Sequence, residues 1–467
     1  MRAVLLALIS LSSAAAARAQ APIVIRNVSV IDGTGAPARS SLSVLIRNGK
    51  IERVEPAVTF RAPPGSRVLD GTGKWLIPGL IDMHAHVNLG PVHVVAGKPV
   101  TETDTSVTSW SLRMLLAFGV TTIRDPAAPA AAAVAVRDSV ARGQLVGPRI
   151  FTAGELIDAS EFPGLVEPAR TADEVRAAVR RQAAVGVDYI KLYASLSPEL
   201  VKAGIDEAHG LGKKVIGHLF ATSWTQAADM GIDFIEHSFP SSPRLLPLER
   251  RAAFLKNIAR NGRFMIQWHE YYDPKSAEAD SMIRSLVAHR VVHTPTLVLF
   301  EAMAWGDSAR VIANQDLRFA PPSLLENWKT EFTLSRDFTE ADYASAKQAW
   351  PAVLRFVKQL YDRGVFLVAG TDAVGPWVPP GTSLHRELEL LVSAGIPPLA
   401  VLEIATRNAA EALGILDQVG TVEPGKRADL VLLDADPSAV IANTRRISWV
   451  MKDGRLWEPR RLIQGKP

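Results

Sequence analysis

His84 and His86 stand one residue apart at the end of the apolar run Leu80-Ile81-Asp82-Met83. In a strand, residues i and i+2 point to the same face, so the two imidazoles would project side by side, where neutral rings can hold a metal ion. Alone, such a pair is a weak signal. The same kind of ending recurs along the chain, with Lys191 after Tyr189-Ile190, His218 after Ile216-Gly217, His237 after Ile235-Glu236 and Asp372 after Gly370-Thr371. Any one of these could be an ordinary buried side chain, but six ionisable groups closing apolar runs look like parts of one site. The chain contains ten histidines and no cysteine, which excludes disulfides, thiolate ligands and cysteine nucleophiles. A metal site here must use His, Asp, Glu or Lys.

The elements that must position these residues alternate strand and helix. Thr171 and Glu174 form a capping box, and the helix they start runs to Gly186. A strand over Val187 to Tyr193 follows. Ser197-Pro198-Glu199 starts a second helix that ends near Gly210 to Gly212, and the strand Lys213 to His218 comes next. A helix from Thr222 to Met230, stopped by Gly231, leads into the strand Ile232 to His237. Such units imply a parallel sheet. Further strands are expected over Leu76–His86, Gly119–Asp125, Arg149–Ala153, Val291–Phe300 and Gly364–Asp372. Eight of this type predict an α/β fold, a (β/α)8 TIM-like barrel over residues 76–414, with its chemistry at the C-terminal strand ends.

Two long insertions, after His237 and after Phe300, carry Trp268, Tyr271, Tyr272, Trp305, Trp328 and Trp350 and are expected to cap the site. Residues 21–75 and 415–467 read instead as short β runs with Asn48-Gly49 and Asp453-Gly454 turns. Both termini are expected to build one small β-sandwich domain.

Residues 1–20 read as a signal peptide, with Arg2, the apolar stretch Ala3 to Leu11 and the small-x-small site Ala17-Arg18-Ala19. This predicts a periplasmic or secreted protein. No other segment reaches the ~20 apolar residues of a membrane span. The formal net charge is +4, two units of which belong to Arg2 and Arg18, and no basic tract is present, so nucleic acid is not an expected partner. The expected partner is a small-molecule substrate; a homo-oligomer is left open.

The motifs Pro78-Gly79-Leu80-Ile81-Asp82-Met83-His84-Ala85-His86, Gly186-Val187-Asp188-Tyr189-Ile190-Lys191, Gly217-His218, Ile235-Glu236-His237 and Gly370-Thr371-Asp372, with the tail Gly420 to Val431, give a clear resemblance. The chain resembles the amidohydrolase superfamily, in its imidazolonepropionase/prolidase-like branch. The resemblance implies two divalent metal ions, with His84, His86 and Asp372 on one and His218 and His237 on the other. Lys191, carboxylated by CO2, would bridge them. Zn is the default metal for such a set, with Mn, Co, Ni and Fe as alternatives. It further implies a metal-bridging hydroxide as nucleophile and Asp372 as the group that moves the proton.

The expected activity is hydrolysis of an amide or peptide C–N bond in a small substrate such as a dipeptide or N-acyl amino acid. An esterase or lactonase would share every ligand. A deaminase relative would use one metal and need no bridging lysine, and a scaffold protein would be expected to lack ligands. Leu219-Phe220 follows His218 where dipeptidase-like members carry a tyrosine, which speaks against a strict prolidase. Candidate substrate-binding residues are Tyr193, His269, Tyr271 and His385. His293 either lines the barrel or packs; His93 and His289 are expected at the surface and His209 at a helix end.

Overall fold

Eight short parallel strands form a closed barrel: β1 Leu80–Asp82, β2 Val120–Asp125, β3 Arg149–Thr152, β4 Tyr189–Leu192, β5 Lys214–Gly217, β6 Phe234–Glu236, β7 Val292–Thr294 and β8 Phe366–Leu367. The computed structural model describes residues 21–466, and the leader expected over residues 1–20 lies outside them. β1 to β3 form one hydrogen-bonded ladder and β4 to β8 another. The bridges Ala153↔Tyr189 and Ala85↔Ala373 join the ladders and complete the TIM-barrel-like ring.

The period of two along each strand explains how this ring carries a polar layer. Tyr189, Ile216, Phe234 and Val292 share one apolar cluster inside the barrel. Two residues further along the same strands come Lys191, His218, Glu236 and Thr294, so apolar packing below sets the direction of the polar groups above. The helix signals of the sequence are seen in the structure. Thr171 and Glu174 cap Ala172–Val185, Gly186 ends it at φ 99° and Ser197 caps Pro198–Gly210, while the helix expected from Thr222 to Met230 spans Trp224–Asp229, with a Ser223–Gln226 capping box beyond those expected.

Every expected barrel strand is shorter than predicted, and three depart most. The run Leu76 to His86 is divided: Trp75–Pro78 pairs with Leu430–Leu433 in the terminal sheet, and only Leu80–Asp82 enters the barrel. Gly79 makes the crossing, where a Cβ would collide with the Thr121 side chain. In the seventh unit the strand stops at Thr294, and Leu297–Ala304 is a buried helix. An apolar run buried on every side satisfies either conformation, so its hydrophobicity could not discriminate. The eighth strand keeps regular pairing only over Phe366–Leu367, and the chain beyond it is irregular.

Strands from both termini join in one continuous eight-stranded sheet. Ile25, Val44, Leu76, Leu430 and Met451 share its apolar core. The expected small sandwich thus takes the form of a single sheet with its own interior. Both predicted hairpin turns have left-handed central residues, Asn48 and Gly49 at φ 51° and 76° and Asp453 and Gly454 at 49° and 76°. Among the described residues, no helix is long and apolar enough to cross a membrane.

Candidate active site

Asp372 is where the strand ends converge. Beyond β1 and β8 the two chains still pair: Met83 N–H donates to the Ala369 carbonyl (2.9 Å), and the N–H groups of Thr371 and Asp372 both donate to the His84 carbonyl (3.2 and 2.7 Å). Asp82 fastens the same junction, accepting from His84 N–H (3.1 Å), Thr371 N–H (3.1 Å) and the Thr371 hydroxyl (2.7 Å). His84 and Asp372 are therefore held side by side by main chain. His86 is not on a strand, yet its Nε2 reaches Asp372 Oδ1 at 3.1 Å, and that of His84 lies at 3.4 Å. His237 reaches Asp372 Oδ2 at 3.8 Å.

The imidazoles form an unbroken chain, with ring centroids 5.3 Å apart for His86 and His84, 4.7 Å for His84 and His237, and 4.3 Å for His237 and His218. Two of the converging residues have left-handed backbones, His237 at φ 64° and Asp372 at 63°. Such conformations cost about 1–3 kcal/mol for a non-glycine residue and persist only where the surroundings enforce them.

Each ring is oriented from behind. His84 Nδ1 contacts Glu236 Oε2 at 2.5 Å, and the other Glu236 oxygen accepts from Arg124 at 2.5 Å. Arg124, fully buried, also donates to the Met83 carbonyl at 2.8 Å. His86 Nδ1 faces the Ala127 carbonyl (3.1 Å) and Asp125 (3.5 Å), while His237 Nδ1 meets the Thr296 hydroxyl at 2.8 Å. Partners of this kind fix the tautomer and leave the opposite nitrogen free to ligate.

Electrostatics point the same way. Burial, with the charge of Lys191, lowers the His218 pKa to about 3, and burial holds His84 and His237 low as well, so three rings stay neutral. Burial opposes a charged His86, but Asp125 and Asp372 outweigh it and raise that ring to about 10. Burial also opposes the Asp372 carboxylate, yet His84, His86 and Lys191 hold it well below the usual range. Lys191 Nζ is buried and has no hydrogen-bond partner among the described residues; burial lowers its pKa to about 8.

This donor set fits a divalent cation. The ligating atoms of His84, His237 and Asp372 lie within 4.8 Å of one another. Among the described residues no lysine or arginine forms an ion pair with Asp372; the side chains within 4 Å of its oxygens that could pair with it are imidazoles. The set lies at the bottom of a cavity of about 290 Å³, lined by His84, His86, Lys191, His218, His237 and Asp372 together with Tyr193 and a mostly apolar wall.

Three predicted substrate residues lie elsewhere. His269 is buried against Phe239 and Phe356, with Nε2 on the Ser238 carbonyl at 2.9 Å. Tyr271 packs on Phe254, and its hydroxyl accepts from Asn257 at 3.3 Å. Both are in the last turn of the helix Phe264–Tyr271, whose first turn sends Phe264 and Met265 into the cavity. His385 is fully buried between the Thr444 hydroxyl (2.9 Å) and the Phe118 carbonyl (3.0 Å), where it ties a barrel helix to the C-terminal segment. His293 packs on Trp224 and bonds Ser238. Tyr193 does face the cavity, edge-on to His218 at 4.6 Å.

Asp82, Arg124, Asp125, Glu236 and Thr296 also build the site, with no role expected for them from the sequence. The signal was present for two of them, because Arg124-Asp125 ends β2 after an uncharged run, as the ligands end theirs.

Glu387 belongs to the same support. It is fully buried, and its Oε2 accepts from Val298 N–H at 2.8 Å, holding the start of the helix that follows Thr296. Burial raises its pKa from 4.5 to about 8. A carboxyl with a raised folded-state pKa favours folding at low pH, and that advantage is lost as pH climbs from about 4.5 to 8. Glu387→Gln keeps the acceptor and removes the titration. Melting both proteins at pH 5 and pH 8.5 should therefore show the variant gaining on wild type by about 2 °C or more at the higher pH; a pH-independent difference would contradict this.

A profile of the amidohydrolase family matches residues 75–457. The chain belongs to the amidohydrolase family. Among curated relatives, this amidohydrolase is 29% identical over 225 residues to an uncharacterised protein of Mycobacterium bovis, spanning about half (54%) of that protein's length. It is 22% identical over 422 residues to the 5-methylthioadenosine/S-adenosylhomocysteine deaminase of Halalkalibacterium halodurans, covering 87% of this chain and 78% of that one. The imidazolonepropionase of Caldanaerobacter subterraneus subsp. tengcongensis is 39% identical over 83 residues, 17% of this chain and 19% of that one. Its fold is shared with a Xaa-Pro dipeptidase solved with methionine in the active site, at a TM-score of 0.68 and 22% identity over 94% of this chain and 100% of the other.

Proposed function

We propose that this amidohydrolase is a binuclear metal-dependent hydrolase of amide C–N bonds in small substrates. The observation that carries the reading is the convergence of four imidazoles and one carboxylate around a buried, unpartnered lysine amine at the floor of a cavity. His84, His86 and Asp372 would hold one ion, His218 and His237 the other, with Lys191 between them. A lowered pKa supports carboxylation of Lys191, since the neutral amine is the form that adds CO2, losing one proton to give an anionic carbamate. Divalent ions bound there supply Lewis acidity, which brings the pKa of a shared water near neutrality and polarises the substrate carbonyl.

The protein's own groups do the rest. Asp372, part-exposed at 16%, accepts the proton of the attacking water and delivers it to the leaving nitrogen. Water adds its oxygen to the carbonyl carbon, the C–N bond breaks, and carboxylate and amine leave. Tyr193, facing the cavity beside His218, is placed to donate to the substrate. The leader read over residues 1–20 supports a periplasmic or secreted enzyme.

A hydrolysis screen of amides, esters, lactones and aminopurines on metal-loaded protein, with metal analysis alongside, tests the reading. About two ions per chain and amide cleavage are expected, with Lys191→Ala lowering both. Ammonia release from aminopurines as the only activity would instead favour a deaminase, the second reading that the Halalkalibacterium relative supports. Full metal content in Lys191→Ala would remove the bridging role.

A further inference from the structure

We infer that the substrate is uncharged and apolar beyond its scissile bond, an N-aryl or N-alkyl amide rather than a dipeptide or N-acyl amino acid with a free carboxylate. The inference rests on the hydrolytic reading above and narrows it. Among the described residues lining the cavity, the only Asp, Glu, Lys or Arg side chains are Lys191 and Asp372, both in the ligand set. The wall facing them includes Leu156, Phe220, Met265, Phe300, Trp328 and Phe332.

The polar groups in that wall are already used. Asn327 accepts from Val92 N–H (3.2 Å) and donates to the Val92 carbonyl (2.9 Å), which holds the hairpin Val92–Val95 with Lys98–Thr101 against the cavity. Thr101 donates to the carbonyls of Gly90 and Pro91, both at 3.2 Å. Glu331, next in sequence to the lining residue Phe332 but not itself in the lining, is engaged by His93 (2.8 Å) and Val94 N–H (3.0 Å). Arg336, the one arginine in the segment 331–338, is exposed and donates to the Glu331 carbonyl.

Tyr193 is the exception. Its hydroxyl makes no hydrogen bond to another described residue, and burial raises its pKa, so it remains a neutral donor beside the ligands. A neutral donor suits a carbonyl. A remote carboxylate bound in this cavity would be stripped of water and meet no cation, which an enzyme site penalises strongly. A remote ammonium would fare no better, and neutral aryl or alkyl groups would lose nothing.

The test uses two substrates of similar shape, N-hexanoyl-4-isopropylaniline and N-hexanoyl-4-aminobenzoate, on the full mature chain. Calorimetric binding is measured on metal-free and metal-loaded protein, and turnover on the loaded protein. The neutral member should bind at least about 10-fold tighter in both forms and be cleaved with a kcat/KM at least about 100-fold higher. Met265→Arg, or Phe332→Arg should the first fail to fold, should move the binding ratio toward the carboxylate. Equal or better binding or cleavage of the carboxylate overturns the inference, as does failure of the neutral member to bind, or a ratio unmoved by the introduced arginine. Preferential binding of the neutral member without cleavage leaves the inference standing and removes the hydrolytic reading.

Discussion

Asp372→Asn should lower kcat/KM by at least about 1,000-fold while leaving the fold and much of the metal in place. The carboxamide has nearly the same shape, and the contacts that hold position 372 are main-chain ones: its N–H donates to the His84 carbonyl at 2.7 Å, and Gly375 N–H donates to the carbonyl of residue 372 at 2.7 Å. Neither depends on the side chain. What changes is the oxygen that faces His86 at 3.1 Å and His84 at 3.4 Å, which can no longer take a proton from water or return one to nitrogen. Its charge is also lost, so the ion it would share with His84 and His86 should bind more weakly. Metal analysis, a thermal melt and steady-state kinetics on the same preparation separate these effects. Turnover within about 10-fold of wild type, with metal bound, would assign the proton transfer to another group.

The parts of this fold that could be read from the sequence are those decided locally. A capping box needs residues three apart, as at Thr171 and Glu174 or Ser223 and Gln226, and a hairpin turn needs two, as at Asn48 and Gly49. The candidate ligands were visible because each closes an apolar run; period two sets the direction of Lys191 and His218, whereas His237 and Asp372 reach the site through left-handed backbones. What sequence periodicity cannot supply is the pairing of distant elements. Glu236 orients His84 only because β6 and β1 lie across the same barrel, and Asp82 fastens Thr371 only because β1 meets β8. His269, Tyr271 and His385 lie outside the cavity lining for the same cause. Each is on a helix that borders the barrel, and which face a helix turns inward depends on its packing partners.

The largest effect on stability is expected at Arg124 and Glu236, whose side chains are both fully excluded from solvent and 2.5 Å apart. Burial alone would raise the Glu236 carboxyl, but Arg124, followed by His84 and Lys191, holds it ionised. Glu236→Gln leaves the guanidinium buried beside a neutral amide, and breaking a buried pair from one side costs about 3–5 kcal/mol. The same change removes the carboxylate that meets His84 Nδ1, so His84 loses the partner that presents its Nε2 toward Asp372, and metal affinity should fall about 10- to 100-fold. Arg124→Met removes the opposite charge and leaves Glu236 with His84, which can share a proton with it. The two losses should therefore differ in kind: Glu236→Gln impairs stability and metal binding together, whereas Arg124→Met impairs stability chiefly. In the double variant neither charge remains, and its stability should lie well above the level obtained by adding the two single losses. Denaturant titrations of the four proteins, with metal affinity measured on each, give the coupling directly, and strictly additive losses would show that the pair does not act as a unit.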